Sequence, residues 1–110
     1  MYIRTKNRIY EVESETYDKQ GYYIDEYEYD MILKRQVIKQ ADTIEELCDR
    51  FVVMEKETKE VISIVSFLAY AKLWSSCKYN IYGAIWTDRG LIFVAKMNDK
   101  GELELIWKRN

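Results

Sequence analysis

The chain has no histidine and no proline, and among its 110 residues only four are glycine and two cysteine. Each shortage excludes something. Without histidine there is no imidazole general base, no Ser–His or Cys–His nucleophile pair, and none of the usual zinc sites. The glycines Gly21, Gly83, Gly90 and Gly101 are isolated, so no glycine-rich loop can cradle a phosphate. Few chain breakers imply compact elements joined by short connections. Cys48 and Cys77 are too few for a disulfide framework and lack metal-ligand spacing, so both read as reduced, buried thiols of a cytoplasmic chain.

A basic excess is also missing. Seventeen lysines and arginines against 19 acids leave a net charge of −2, which argues against a general nucleic-acid-binding face. The start, MYIRTKNRIYEV, lacks a signal-peptide core, and the longest apolar region, Val61 to Cys77, is interrupted by Lys72. No membrane partner is therefore expected. Glu45, Glu46 and Asp49 could in principle hold a hard cation, but a capped, solvated helix face explains them as well. The expectation is a protein that is not an enzyme, with no catalytic residue, no metal and no cofactor.

What is present is enough for one core. Hydrophobic residues make up 48% and aromatics 15%, which fits a single domain over residues 1–110. Tyr82 to Trp107 reads as three strands joined by two turns, Asp88-Arg89-Gly90 and Asp99-Lys100-Gly101. Each turn has an acid to open it and glycine for the left-handed position. In the middle strand Leu91, Phe93, Ala95 and Met97 point one way and Ile92, Val94 and Lys96 the other, the mark of a central strand. Met1 to Val12 alternates around a turn at Lys6-Asn7-Arg8, and Phe51 to Met54 reads as a strand. Tyr22 to Ile24 resumes an extended pattern, and at least the second half of Met31 to Ile38 reads as a strand.

Two helices are expected. Thr43 and Glu46 form a capping box that opens a short helix ending near Arg50. Val61 to Cys77 carries Val61, Ile64, Val65 and Leu68 on one stripe and Phe67, Ala71 and Trp74 on another. Its first residues, VISIV, are β-branched enough for a strand, yet the length of the run favours a long helix. That helix would cover one face of the sheet or form a homodimer interface. The fold class expected is therefore α+β: mainly antiparallel sheet, a C-terminal meander, one long helix and one short one. Trp74, Trp86 and Trp107 are expected in the core, with Met54 and Met97 as filler.

One segment points to an interaction. Residues 17–30 hold five tyrosines and five acids against a single lysine. Glu26-Tyr27-Glu28-Tyr29-Asp30 alternates with period two, so a strand there puts rings on one face and carboxylates on the other. Tyr22, Tyr23, Asp25, Glu26, Tyr27, Glu28, Tyr29 and Asp30 are the candidate binding residues. Tyrosines make good contact residues, and a carboxylate row can imitate a phosphate backbone towards a basic partner. The plainer reading makes Tyr27 and Tyr29 the core side of an amphipathic strand. Arg4, Lys6 and Arg8 could form a small basic edge for nucleic acid, but as three charges in a hairpin turn they read as solubilising.

Ile38 to Val53, IKQADTIEELCDRFVV, and Tyr82 to Ile106, YGAIWTDRGLIFVAKMNDKGELELI, together with the opening MYIRTKNRIYEV, resemble small proteins encoded by phages and prophages of Gram-positive (Firmicute) bacteria. The resemblance covers about half of the chain and supplies no active-site residues. It implies a cytoplasmic accessory protein that binds a host protein, such as a nucleic-acid-processing or defence complex, as anti-CRISPR proteins do. Two alternatives stay open: a nucleic-acid-binding regulatory protein, and a homo-oligomeric structural or assembly component.

Overall fold

The structure, a computed structural model, describes residues 1–24 and 31–106. Ten antiparallel strands form two five-stranded sheets, ordered β4-β3-β2-β1-β5 and β10-β9-β8-β6-β7. The N-terminal sheet contains β1 (Tyr2–Arg4), β2 (Ile9–Glu15), β3 (Gly21–Ile24), β4 (Met31–Leu33) and β5 (Lys39–Ala41). The C-terminal sheet contains β6 (Arg50–Glu55), β7 (Val61–Val65), β8 (Tyr79–Thr87), β9 (Gly90–Met97) and β10 (Leu103–Leu105). Among the described residues the one α-helix, α1 (Leu68–Ala71), is four residues long and runs into a 3-10 turn at Lys72–Trp74.

This overturns the expected α+β class. The long helix over Val61 to Cys77 is a strand followed by a single turn of helix. Strand β7 pairs with β6, Phe51 opposite Val65 and Val52 opposite Ile64. Branched side chains favour that pairing over helix, because they lose rotamer freedom against a preceding helical turn. The short helix contracts to a 3-10 turn at Glu45–Leu47. Its capping box nevertheless exists. The Glu46 amide donates to Thr43 Oγ1 at 3.4 Å, and the Thr43 amide donates to Glu46 Oε2 at 3.3 Å. In Met31 to Ile38 the strand is the first half rather than the second, followed by a 3-10 turn at Lys34–Gln36.

The hairpin at Lys6-Asn7-Arg8 and the C-terminal meander form as expected. The turn glycines have φ of 96° at Gly90 and 81° at Gly101. The side chains that close these turns come one residue earlier than expected. Thr87 Oγ1 accepts from the Arg89 amide at 3.1 Å, and Asn98 Oδ1 accepts from the Lys100 amide at 2.9 Å.

Strands β7 and β8 are both antiparallel to β6 and therefore parallel to each other, so the chain must cross over β6 between them. Helix α1 fills that crossover. Leu68 and Ala71 pack on Phe51, Val53 and Ile81. Farther along the same face, Ile85, Val94, Ala95 and Leu105 meet Ile9 of the N-terminal sheet and Ile44 and Leu47 of the connector. A third cluster, Ile3, Tyr22 and Ile24, belongs to the N-terminal sheet alone. At Gly83 a Cβ would lie 2.7 Å from Cys48 Sγ, so only glycine lets the connector lie this close.

An irregularity in β9 changes the face assignment. Gly83 pairs with Ala95 but Ala84 pairs with Phe93, leaving Val94 as an extra residue. The bulge flips the alternation. Leu91 and Phe93 thus share the outer face with Ala84 and Trp86, while Ala95 and Met97 join Ile92 on the inner one.

Candidate interaction surface

The largest departures from expectation are aromatic. Trp74 and Trp86 are surface residues, 38% and 52% exposed, rather than core; Trp107 lies outside the described residues. Trp86 lies on the outer face of β8 and β9, where Tyr82 stacks on Phe93 at 4.7 Å.

A second apolar surface sits on the crossover. Leu68 and Ala71 use up the inward side of α1, but the neighbouring positions are apolar as well. Phe67 is 63%, Tyr70 56% and Leu73 82% exposed. Spacing of three residues puts them along one side of the turn. Phe67 and Tyr70 meet edge-on at 5.8 Å, and Trp74 meets Tyr79 edge-on at 5.5 Å, so the rim is held by its own ring contacts. From Val61 through Trp86 the sequence has no carboxylate, and its charges are Lys72 and Lys78. Exposed apolar surface of this composition is more common at contact surfaces than on solvated ones.

Next to the rim, between the 75–78 loop and β9–β10, runs a groove of about 740 Å³. Lys56 and Lys96 line it together with Asp99 and Glu104, so its charges offset one another. Cys77 also lines it and is exposed, contrary to the expected buried thiol. Cys48 is half-buried; burial first, and the Asp49 carboxylate second, push its thiol up to about 12. Such a thiol stays protonated and inert. Among the described residues no three His, Cys, Asp or Glu side chains converge to hold a metal, and no helix is long and apolar enough to cross a membrane.

The expected acidic, tyrosine-rich face is only partly described. Asp25, Glu26, Tyr27, Glu28, Tyr29 and Asp30 lie outside the described residues. Tyr22 belongs to the N-terminal core, its hydroxyl 3.2 Å from Gln40 Oε1 and its ring 5.5 Å from Lys34 Nζ. Tyr23 is half-buried in β3, opposite Ser14. Of the flanking residues, Tyr17, Glu13 and Glu15 are exposed on the β2–β3 hairpin.

Sequence reasoning missed the polar joint between the sheets. Arg4 at the end of β1 donates to both Asp49 carboxylate oxygens, at 2.7 and 2.8 Å. The Trp86 amide donates to the same carboxylate at 2.8 Å. Burial pushes the Asp49 carboxyl up, but the Arg4 hydrogen bond, the Trp86 amide and the nearby guanidinium charges outweigh it and hold the group below its usual range. Lys6 adds a more exposed pair with Asp88 at 2.9 Å. Arg4 and Lys6 thus tie the sheets together, which a reading of the N-terminal hairpin by itself has no way to show.

No family model, no curated protein and no solved structure matches the chain.

Proposed function

We propose that the chain is a non-enzymatic binding protein whose partner is another protein, engaged by the rim of Phe67, Tyr70, Leu73 and Trp74. The observation that carries this reading is Leu73, 82% exposed at the centre of an aromatic surface. Desolvated aromatic anchors of this kind dominate protein–protein contacts. The resemblance to phage and prophage proteins supplies the setting, a host protein of a nucleic-acid-processing or defence complex. There the carboxylates of Asp25, Glu26, Glu28 and Asp30 would offer negative charge to a basic groove.

The test is affinity capture from a host lysate with and without nuclease treatment, using the wild type, Leu73→Glu, and a variant with the four acids changed to Asn or Gln. Recovery of one protein species that survives nuclease and is lost with Leu73→Glu is the expected result. Loss with the acid variant as well assigns the second contact. Recovery of nucleic acid alone, or equal recovery by all three chains, overturns the reading. Because Leu73 is so exposed, Leu73→Glu should change folding stability by less than about 0.5 kcal/mol, which thermal unfolding will show.

A further inference from the structure

Four strands lie at sheet margins: β4, β5, β7 and β10. Exposed margins are templates for pairing with another chain, and proteins blunt them by shortness and by charge. Three of the four are blunted. β4, β5 and β10 are each three residues long; β5 carries Lys39, β10 carries Glu104, and β4 runs directly into Lys34 and Arg35. β7 is five residues long and uncharged, and the sequence stays uncharged from Val61 through Ala71. Among the described residues it has β6 on one side and no strand on the other. Val61 and Ile64 lie on the outer face and are each about half exposed, 50% and 54%.

From this we infer that β7 is the seam of a homodimer, in which two copies pair their β7 edges antiparallel about a two-fold axis to make one continuous ten-stranded sheet. The two ends of the strand favour a second copy in this orientation. The lead-in, residues 55–60, holds three carboxylates and two lysines, while the exit carries Lys72 and Lys78 without a carboxylate. Antiparallel pairing sets the Glu57 and Glu60 end of one copy towards the Lys72 end of the other. An uncharged row faces its own copy, so no like charges meet across the seam. The irregular pairing opposite Met54 bends the start of β7. Pairing therefore centres on the stretch from Ser63 to Phe67, whose last residue is still extended at φ −128° and ψ 136°.

The seam meets the rim proposed for the partner protein only at Phe67, and Leu73, which carries the rim, lies beyond the paired stretch, so the two fail separately. Sedimentation equilibrium of the full chain at concentrations up to about 100 µM is expected to give twice the 13.3 kDa chain mass. Ile64→Lys and Val61→Lys both put a charge on the edge at exposed positions, so at least one is expected to stay folded by circular dichroism. Either should raise the dimer dissociation constant about tenfold or more, while Leu73→Glu leaves it unchanged. Amide exchange in β7 should slow as concentration rises. A 13.3 kDa mass at every concentration overturns the proposal. So does a dimer indifferent to the folded lysine variants, or one that Leu73→Glu dissolves equally well.

Discussion

The two sheets have the same number of strands and are held by different means. The C-terminal sheet contributes to two buried clusters, one of seven residues at the joint and one of five under α1. The N-terminal sheet has a cluster of three, Ile3, Tyr22 and Ile24. Around it pack the half-buried Tyr10, Val12, Ile32 and Val37, and other ties among the described residues are polar. The buried Thr16 hydroxyl donates to Asp18 at 2.7 Å and accepts the Gly21 amide at 3.1 Å, closing the β2–β3 hairpin. Lys34 reaches Glu15 at 2.7 Å from β4's end. Apolar burial scales with area removed from water, whereas an exposed ion pair adds little. The N-terminal sheet therefore borrows its stability through Ile9 and Arg4, and the C-terminal sheet is the scaffold on which it rests.

The largest test of that difference is at the joint. Ile85 is fully buried where Ile9, Leu47 and Val94 converge. Ile85→Ala should remove about 3 kcal/mol of stability, the transfer cost of the lost methyl groups plus the cavity left behind. Chemical denaturation measures the total, and native-state amide exchange tells where it falls. Protection should drop in β1 and β2 as well as in β8 and β9. A loss confined to the C-terminal sheet would show that the N-terminal sheet stands on its own core, against the asymmetry argued above.

The second test takes away the polar half of the same joint. Asp49→Asn should destabilise by about 2 kcal/mol at neutral pH, since hydrogen bonds to charged groups exceed neutral ones and Arg4 keeps a partly buried charge. The sign of the pH dependence follows from the lowered carboxyl. Below its ordinary value of 3.8 the unfolded chain takes up the proton before the folded one does. Asp49 thus stabilises fully above about pH 5 and progressively less as pH falls through its folded value. Unfolding midpoints measured from neutral pH down to acid should converge for wild type and variant. Parallel curves would remove Asp49 as the titrating link.

These two tests also mark where the sequence was readable. Turns and hairpins were legible because their chemistry is local: positive φ at Gly90 and Gly101, the Lys6–Arg8 hairpin, the reciprocal Thr43 and Glu46 bonds. Val61 to Val65 is ambiguous in sequence because a short apolar run satisfies helical and extended spacing alike. What decides it is β6, a partner seven or more residues away in sequence. The bulge at Val94 was invisible for a related reason. Both faces of β9 are apolar there, so no polar residue marks the flip. The core expectation fails at Trp74 and Trp86 because hydrophobicity does not say which face a layer covers. The Arg4–Asp49 joint spans 45 positions, and only the folded chain brings it together. The candidate surface was legible as apolar excess around Phe67 to Trp74, though that excess was ascribed to the girth of a long helix.

The smallest test asks whether the N-terminal cluster has any polar support of its own. Tyr22→Phe keeps the buried ring and its approach to Lys34 and removes one hydroxyl, which lies 3.2 Å from Gln40 Oε1. Gln40 is exposed and can turn to water, so the expected loss is about 0.5 kcal/mol, the low end for a hydrogen bond. The location of the effect is more informative than its size. Tyr22 sits in β3 and Gln40 in β5, the strands on either side of β2 and β1. A loss of amide protection confined to β3 and β5 would show the N-terminal sheet opening as a separate unit above the C-terminal scaffold. If β8 and β9 lose protection equally, the two sheets open together, and the borrowed stability of the first sheet is complete.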